Sequence, residues 1–308
     1  MTAKGVASIG ECMLELSADP GGLWQLNYAG DTFNTLWAIR ALTPATAAAD
    51  YVTAFGDDPF SQKQIDFFAK AQIGTASSPV IAGARPGLYA ITLTGAERSF
   101  TYWRADAAAR QLADDQAALD KSLENRSLVY FSGITLAILT PDSRGRLLLA
   151  LDRARQAGAR IAFDPNYRPR LWPSVQDART AISDALSLVD IALPTFPDEQ
   201  MLFGDSAPDS VAYRLSAAGV KEIIVKDGEN PALVSADGAN EQVPAVRVNA
   251  VDTTGAGDSF NGGYLAARLA GHPPAEAAKR AHKVAAAVVQ VRGALAPYDV
   301  LREAFNRS

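Results

Sequence analysis

Six short apolar runs of strand length, with longer amphipathic runs set between them, limit most strongly what this chain can fold into. The candidate strands are Val6–Ile9, Tyr51–Ala54, Leu128–Ser132, Arg160–Asp164, Asp190–Leu193 and Glu222–Lys226. Helical patterns fall between them at Thr32–Leu42, Pro59–Gln72, Pro141–Ala157, Val175–Ser187 and Ala207–Ala218. Thr140-Pro141 places a capping hydroxyl before a proline at the first helical position, and Gly158 is a suitable stop. Alternation at this frequency predicts an α/β fold: a doubly wound, mostly parallel sheet flanked by helices, with its site at the carboxyl ends of the strands. Two segments break the rhythm. Residues 12–28 carry leucines around a Pro20-Gly21-Gly22 turn, and residues 87–103 read as two strands joined at Thr94-Gly95-Ala96. Both predict antiparallel ribbons without helices. A chain of 308 residues, 48% hydrophobic, is expected to form one large domain over 1–308, or one with a small appendage.

Charge narrows the partners. The 29 basic and 34 acidic residues leave a net charge of −5 with no basic run, so neither nucleic acid nor an anionic membrane is expected. Cys12 is the single cysteine, which excludes an internal disulfide and fits a reducing compartment; its apolar setting predicts an inert buried thiol. Glu11 and Glu15 interrupt the apolar N-terminal run, against a signal peptide, and Val284–Val289 is too short to span a bilayer. These features predict a soluble, cytoplasmic protein.

The chemistry-bearing stretch is VDTTGAGDSFNGG, from Val251 to Gly263. Gly255, Ala256, Gly257 and Asp258 precede an apolar helical pattern, with Phe260, Tyr264, Leu265 and Leu269 on one face. Glycines at a helix start let bare amides converge where the dipole is positive, which makes an anion hole. A carboxylate at its rim is well placed to accept a proton from a hydroxyl attacking phosphorus. Spacing alone favours the plainer reading of Asp258 as a helix cap. It is neither a dinucleotide fingerprint, since Phe260 stands where a third glycine belongs, nor a Walker loop, since no GK[ST] occurs.

The DTTGAGDSFNGG stretch resembles the C-terminal signature of the ribokinase-like (PfkB) sugar kinases. The resemblance implies that Gly255, Ala256 and Gly257 form the hole for the transferring phosphoryl group and that Asp258 is the catalytic base. It also implies that the two ribbons form a small β lid over the sugar, through which a homodimer would pair.

Three further segments bear on the sugar. Ala29-Gly30-Asp31-Thr32-Phe33-Asn34 precedes a helix, where Asp31 is also readable as a plain N-cap; the resemblance implies that Gly30, Asp31 and Asn34 bind sugar hydroxyls. Many members carry Gly-Gly where this chain has Ala29-Gly30, and a small loss of backbone freedom is expected there. Pro86-Gly87-Leu88-Tyr89 and Thr101-Tyr102-Trp103-Arg104 place aromatic rings and an arginine at the ribbon's end. Such a cluster is either mere packing with a solvated charge or a fork for a carboxylate-bearing sugar. Asp164-Pro165-Asn166-Tyr167-Arg168 follows a strand, a pattern that fructokinase-like members share. Together with IGECMLELS, PGLYAI, TYWRADAAA, SGITLAIL and FDPNYRPRLW, these segments are similar to the 2-keto-3-deoxygluconate kinase branch, from about Ile9 to Ala296. That likeness implies phosphorylation of the 6-hydroxyl of 2-dehydro-3-deoxy-D-gluconate, with Tyr89, Tyr102, Arg104 and Arg168 on the acid sugar. Neutral-sugar kinases on the same scaffold, and a sugar sensor without catalysis, are the alternatives.

For the nucleotide, the resemblance implies ATP beside Asn166, Arg168, Lys226, Gly228, Gly255 and Gly257, with the alanine-rich run Ala281–Gln290 under the adenine. Lys226 is also readable as a strand-end lysine reaching water, and His282 as a partly buried helix residue. Mg2+ held mostly by phosphate oxygens and water needs no carboxylate cluster. The N-x-x-E element that the family usually shows is here Thr195-Phe196-Pro197-Asp198 followed by Glu199, without the Asn and with a shorter acid. Asp252 and the Thr254 carbonyl, with the Arg292-Gly293-Ala294 loop, match the part of the fold that holds potassium in several relatives.

Overall fold

The strand runs are apolar on both faces because both faces are covered. In the computed structural model, which describes residues 4–18, 22–94 and 97–307, Leu128 and Tyr130 of one central strand enter the core on one side. The alternating Val129 and Phe131 enter the core on the other. Period-two alternation between two apolar layers is what a buried parallel sheet requires.

The sheet has eight strands in the order Ala49–Val52, Gly5–Ile9, Arg126–Ser132, Arg160–Asp164, Ile191–Ala192, Glu222–Val225, Ala232–Ala236, Ala239–Val243. The first six run parallel and the last two antiparallel. The chain leaves Gly5–Ile9 toward one edge and returns to Arg126–Ser132 on its other side. Strand order therefore reverses between these two, and a crevice opens at their carboxyl ends.

The predicted strands are present, with shifted ends: Tyr51–Ala54 becomes Ala49–Val52, and Asp190–Leu193 shortens to Ile191–Ala192. Thr140 caps its helix by accepting the Ser143 amide at 3.2 Å, and Gly158 stops the chain in the left-handed region at φ +95°. Gln116–Ser122, Gly133–Ile138, Phe196–Phe203 and Tyr298–Asn306 are helices that sequence patterning did not anticipate.

The two ribbons form one four-stranded sheet in the order Trp24–Ala29, Met13–Ala18, Leu88–Thr94, Glu97–Trp103. Each ribbon is antiparallel, but they join through parallel pairing of Met13–Ala18 with Leu88–Thr94, which the sequence reading lacked. The turns expected at Pro20-Gly21-Gly22 and Thr94-Gly95-Ala96 lie partly outside the described residues.

Helix Ala256–Leu269 is squeezed between helices Asp31–Leu42 and Pro274–Val288. A Cβ on Gly262 would stand 2.6 Å from the Thr35 carbonyl oxygen, and one on Gly263 3.1 Å from the Ala281 Cα. The paired glycines thus let the helix approach a neighbour on each side, and this fixes where its first turn points. Among the described residues no helix is long and apolar enough to cross a membrane.

Candidate active site

The glycine turn has the shape its sequence requires. Gly255 sits at φ +75°, ψ 5°, a left-handed conformation that favours glycine, and a Cβ there would come 2.9 Å from the Ala294 Cβ. Asp252 braces the turn from behind, accepting the Thr254 amide and the Gly293 amide, both at 2.9 Å. Its carboxylate is a clamp between two loops. The Ala256 amide donates to the Thr253 carbonyl at 3.3 Å, so it is not the open donor that the sequence reading expected. The amides of Gly255, Gly257 and Asp258 have no partner among the described residues, as expected of a first helical turn.

Asp258 is partly buried in that turn. Its Oδ2 accepts from Asn34 Nδ2 at 2.8 Å, and its carbonyl from the Thr35 hydroxyl at 3.1 Å. Burial, and then the nearby Asp31 carboxylate, push its pKa up to about 7, against the Asn34 hydrogen bond and the Lys226 charge. The residue does not cap its helix; Gly255 occupies that position. Nor does Asp31 cap the helix it begins. Gly30 is the N-cap, and the Asp31 carboxylate instead accepts from Asn166 Nδ2 at 2.7 Å. Gly30 lies against the Glu11 carbonyl, with room for no side chain, and donates its amide to Asn34 Oδ1 at 3.3 Å.

Behind these groups lies a buried network that the sequence showed only in part. Asp164 Oδ2 accepts from Lys226 Nζ and from Asn261 Nδ2, each at 2.7 Å. Lys226 also donates to Asn261 Oδ1 at 2.9 Å, and Asn261 to the Tyr130 hydroxyl at 3.1 Å. Asn166, at φ +35°, donates its amide to Asp164 Oδ1 at 3.0 Å. Lys226 is therefore not a strand-end lysine reaching water. Its Nζ is spent on Asp164 and Asn261, although it lies 3.8 Å from where a Gly257 side chain would begin. Gly228 turns the chain just beyond at φ +58°, with open space beside it.

Gly30, Asn34 and Asp258 thus form one hydrogen-bonded chain, and Asp31, Asn166, Asp164, Lys226 and Asn261 a second one beside it. The remaining expected residues stand around them. Arg168, with its side chain 49% exposed, donates to Asp198 at 3.0 Å and to the Tyr167 carbonyl at 2.8 Å. Asp198 lies within electrostatic reach of Asp164 and Lys226, and burial pushes its pKa up. An acid at this edge fits a shared role with phosphate oxygens around Mg2+. Among the described residues no three acidic, histidine or cysteine side chains converge on one point. Glu199, the next residue, turns inward to Arg214 at 2.6 Å.

On the lid side, Tyr89 donates to Glu15, and its ring lies 5.7 Å from that of Tyr102, which is half exposed. Arg104 is not a solvated charge. It is buried against Glu11, a residue to which the sequence reading gave no role in the site. Ala294, which crowds Gly255, also packs with Met13, Ala29 and Tyr89, so the lid's floor and the glycine turn share a neighbour. Cys12 is buried and its thiol pushed well up by burial. His282 is buried edge-on against Phe260 and pushed down to about 4 by burial.

Residues 3–300 match the profile of the pfkB family carbohydrate kinases. The 2-dehydro-3-deoxygluconokinase of Dickeya dadantii (strain 3937) is 43% identical over 309 residues, spanning 98% of this chain and 99% of its own. That of Escherichia coli (strain K12) is 42% identical over 307 residues, 97% and 99% respectively. Among solved structures, fructokinase with bound ATP from Xylella fastidiosa superposes with a TM-score of 0.82 at 25% identity, covering 98% of this chain and 97% of its own.

Proposed function

The chain belongs to the pfkB family of carbohydrate kinases, and on that premise we propose that it transfers the γ-phosphoryl group of ATP to the 6-hydroxyl of 2-dehydro-3-deoxy-D-gluconate. The observation that carries the reading is Asp258, held by Asn34 beside the open amides of Gly255, Gly257 and Asp258. Asp258 takes the proton of the sugar hydroxyl as its oxygen bonds to phosphorus, and the bond to the departing ADP oxygen breaks. The three amides face the charge that gathers on the phosphoryl oxygens. Mg2+ bound with the nucleotide would supply neutralisation of phosphate charge, and Asp198, the acid nearest in kind to the missing motif, would help to hold it. Gly30, Asp31 and Asn34 orient the sugar. Arg168, Asn166 and Gly228 border the nucleotide side, with Lys226 acting from behind through the hole. Tyr89, Tyr102 and Arg104 meet the rest of the sugar, and Arg104 with Arg168 supplies the charge that an acid sugar needs.

High identity to two proteins named for this substrate supports the acid sugar. The Glu11–Arg104 pair favours a second reading, because an arginine already neutralised is compatible with a neutral ketose. A coupled ADP-release assay with 2-dehydro-3-deoxygluconate and with fructose separates the two. Turnover on the acid sugar at least tenfold above fructose is expected, and preference for fructose overturns the reading.

A pH dependence follows. Asp258 serves as base only when ionised, and its pKa is raised to about 7, so kcat/KM is expected to fall as pH drops through about 7 and to level off above it. A flat profile from pH 5 to 8 would count against Asp258 as the titrating base.

We read residues 1–308 as one cytoplasmic ribokinase-like domain whose lids pair in a homodimer. Trp24, Tyr102 and Trp103 are half exposed on the outer lid strands, and uncovered strand edges favour pairing. A monomer in light scattering would overturn the dimer. Potassium near Asp252 and the Thr254 carbonyl is proposed on the same footing, and equal rates in sodium and potassium buffers would remove it.

A further inference from the structure

The family resemblance puts Arg104 on the carboxylate of an acid sugar, yet in the fold its partner is Glu11. The Glu11 side chain is 1% exposed and that of Arg104 12%, so the carboxylate lies on the protein's side of the guanidinium. The contact uses one prong. Arg104 Nη2 donates to Glu11 Oε2, while Arg104 Nε and Glu11 Oε1 are both buried with no partner. A side-on fork would pair those two atoms as well, so the ion pair stands one hydrogen bond short of the arrangement that guanidinium and carboxylate favour. The backbone has made room for it. Gly87 lies directly against Glu11 Oε1, and a Cβ there would also come 3.1 Å from Met13 Cγ and 3.2 Å from Arg104 Cβ. Arg110 is the other cation within electrostatic reach of Glu11, and Asp31 the other acid.

We propose that Glu11 is a positioning residue for recognition of the acid sugar: it anchors one edge of the Arg104 guanidinium and balances its charge, leaving Nη1, which is neither spent on Glu11 nor buried, to meet the substrate carboxylate. An arginine this far buried without a counter-charge would be costly in the empty site and free to swing. Held from behind, it is pre-set, and the entering carboxylate need not order it. The inference rests on the acid-sugar reading above.

Five proteins test it: wild type, Glu11→Ala, Glu11→Gln, Arg104→Ala and the Glu11→Ala/Arg104→Ala double variant, each assayed for KM and kcat on 2-dehydro-3-deoxygluconate and for KM on ATP. Glu11→Ala is expected to raise the acid-sugar KM about tenfold, roughly 1.4 kcal/mol, with kcat and the ATP KM within about twofold. In the Arg104→Ala background the same change is expected to add nothing, because Glu11 acts through Arg104. Glu11→Gln, which keeps an acceptor for Nη2, is expected to fall between wild type and Glu11→Ala, and it supplies the reading if the alanine variant does not fold. Additive effects, a matching loss in kcat, or an unchanged KM overturn the proposal. So does a KM that falls, which would make Glu11 a competitor of the substrate. Absence of acid-sugar turnover in wild type would instead sink the substrate assignment.

Discussion

Asp258→Asn is expected to lower kcat by ~10²–10⁴-fold, the range typical of losing a general base, while the protein stays folded and still binds sugar. The change is nearly isosteric, and Asn34, which now donates to the carboxylate at 2.8 Å, can still donate to an amide oxygen. Stability gives an independent check with a definite sign. The folded-state pKa of Asp258 lies near 7, above the ordinary carboxylate value, so holding the ionised form in the fold costs stability. That cost is fully present above pH 7 and vanishes toward pH 4, where both states are protonated. Asparagine removes it. The variant should therefore melt no lower than wild type at pH 8, and any gain should shrink as the pH is lowered toward 5. A variant with near-normal kcat would overturn the base assignment. One that loses both activity and melting temperature at pH 8 would show that the carboxylate holds the structure.

What the chain declares locally and what it reveals only when folded differ in physical kind. Arg160–Asp164 is legible to the residue because its apolar run ends on a proline that cannot continue the ladder. The Asp237-Gly238 pair is an equally local signal. Both residues have positive φ, +53° and +78°, as a tight hairpin asks, and they join the two antiparallel strands that close the sheet. Helix Phe196–Phe203 carries a start signal of its own, the proline in its first turn, on the same residues that match the metal-site element of the family. In the site, Asp258 and Asn34 stood out singly, but their contact joins residues 224 apart, and spacing carries no trace of it. The same holds for Glu11 beside Arg104, 93 residues away, and for Asn261 beneath Asp164. Glycines 262 and 263 looked like the tail of a motif. Only the helices on either side reveal that a side chain at either position would push the glycine turn out of place.

Lys226→Met should be among the most damaging substitutions in the chain, and for a reason opposite to the one its sequence suggests. The Lys226 and Asp164 side chains are 9% and 5% exposed, and Lys226 Nζ donates to Asp164 at 2.7 Å. Methionine fills much the same volume, so packing changes little, but it strands the Asp164 carboxylate without a counter-charge. Removing one member of a buried pair typically costs ~3–5 kcal/mol, which chemical denaturation will read directly. Asn261 Nδ2 and the Asn166 amide still donate to Asp164, which places the loss toward the lower end of that range. Adding Asp164→Asn removes the orphaned charge and should restore more than half of the stability, a non-additivity that two independent residues would not show. Activity should not return with it. The Lys226 charge favours the ionised form of Asp258, so its loss alone moves the Asp258 titration upward and the acid limb of the rate profile should shift to higher pH; in the double variant the loss of the Asp164 charge, which pushes Asp258 up, opposes that shift, so the limb should move less. A lysine that merely touched nucleotide would behave differently: its removal would raise the KM for ATP, leave the melting point alone, and move no titration.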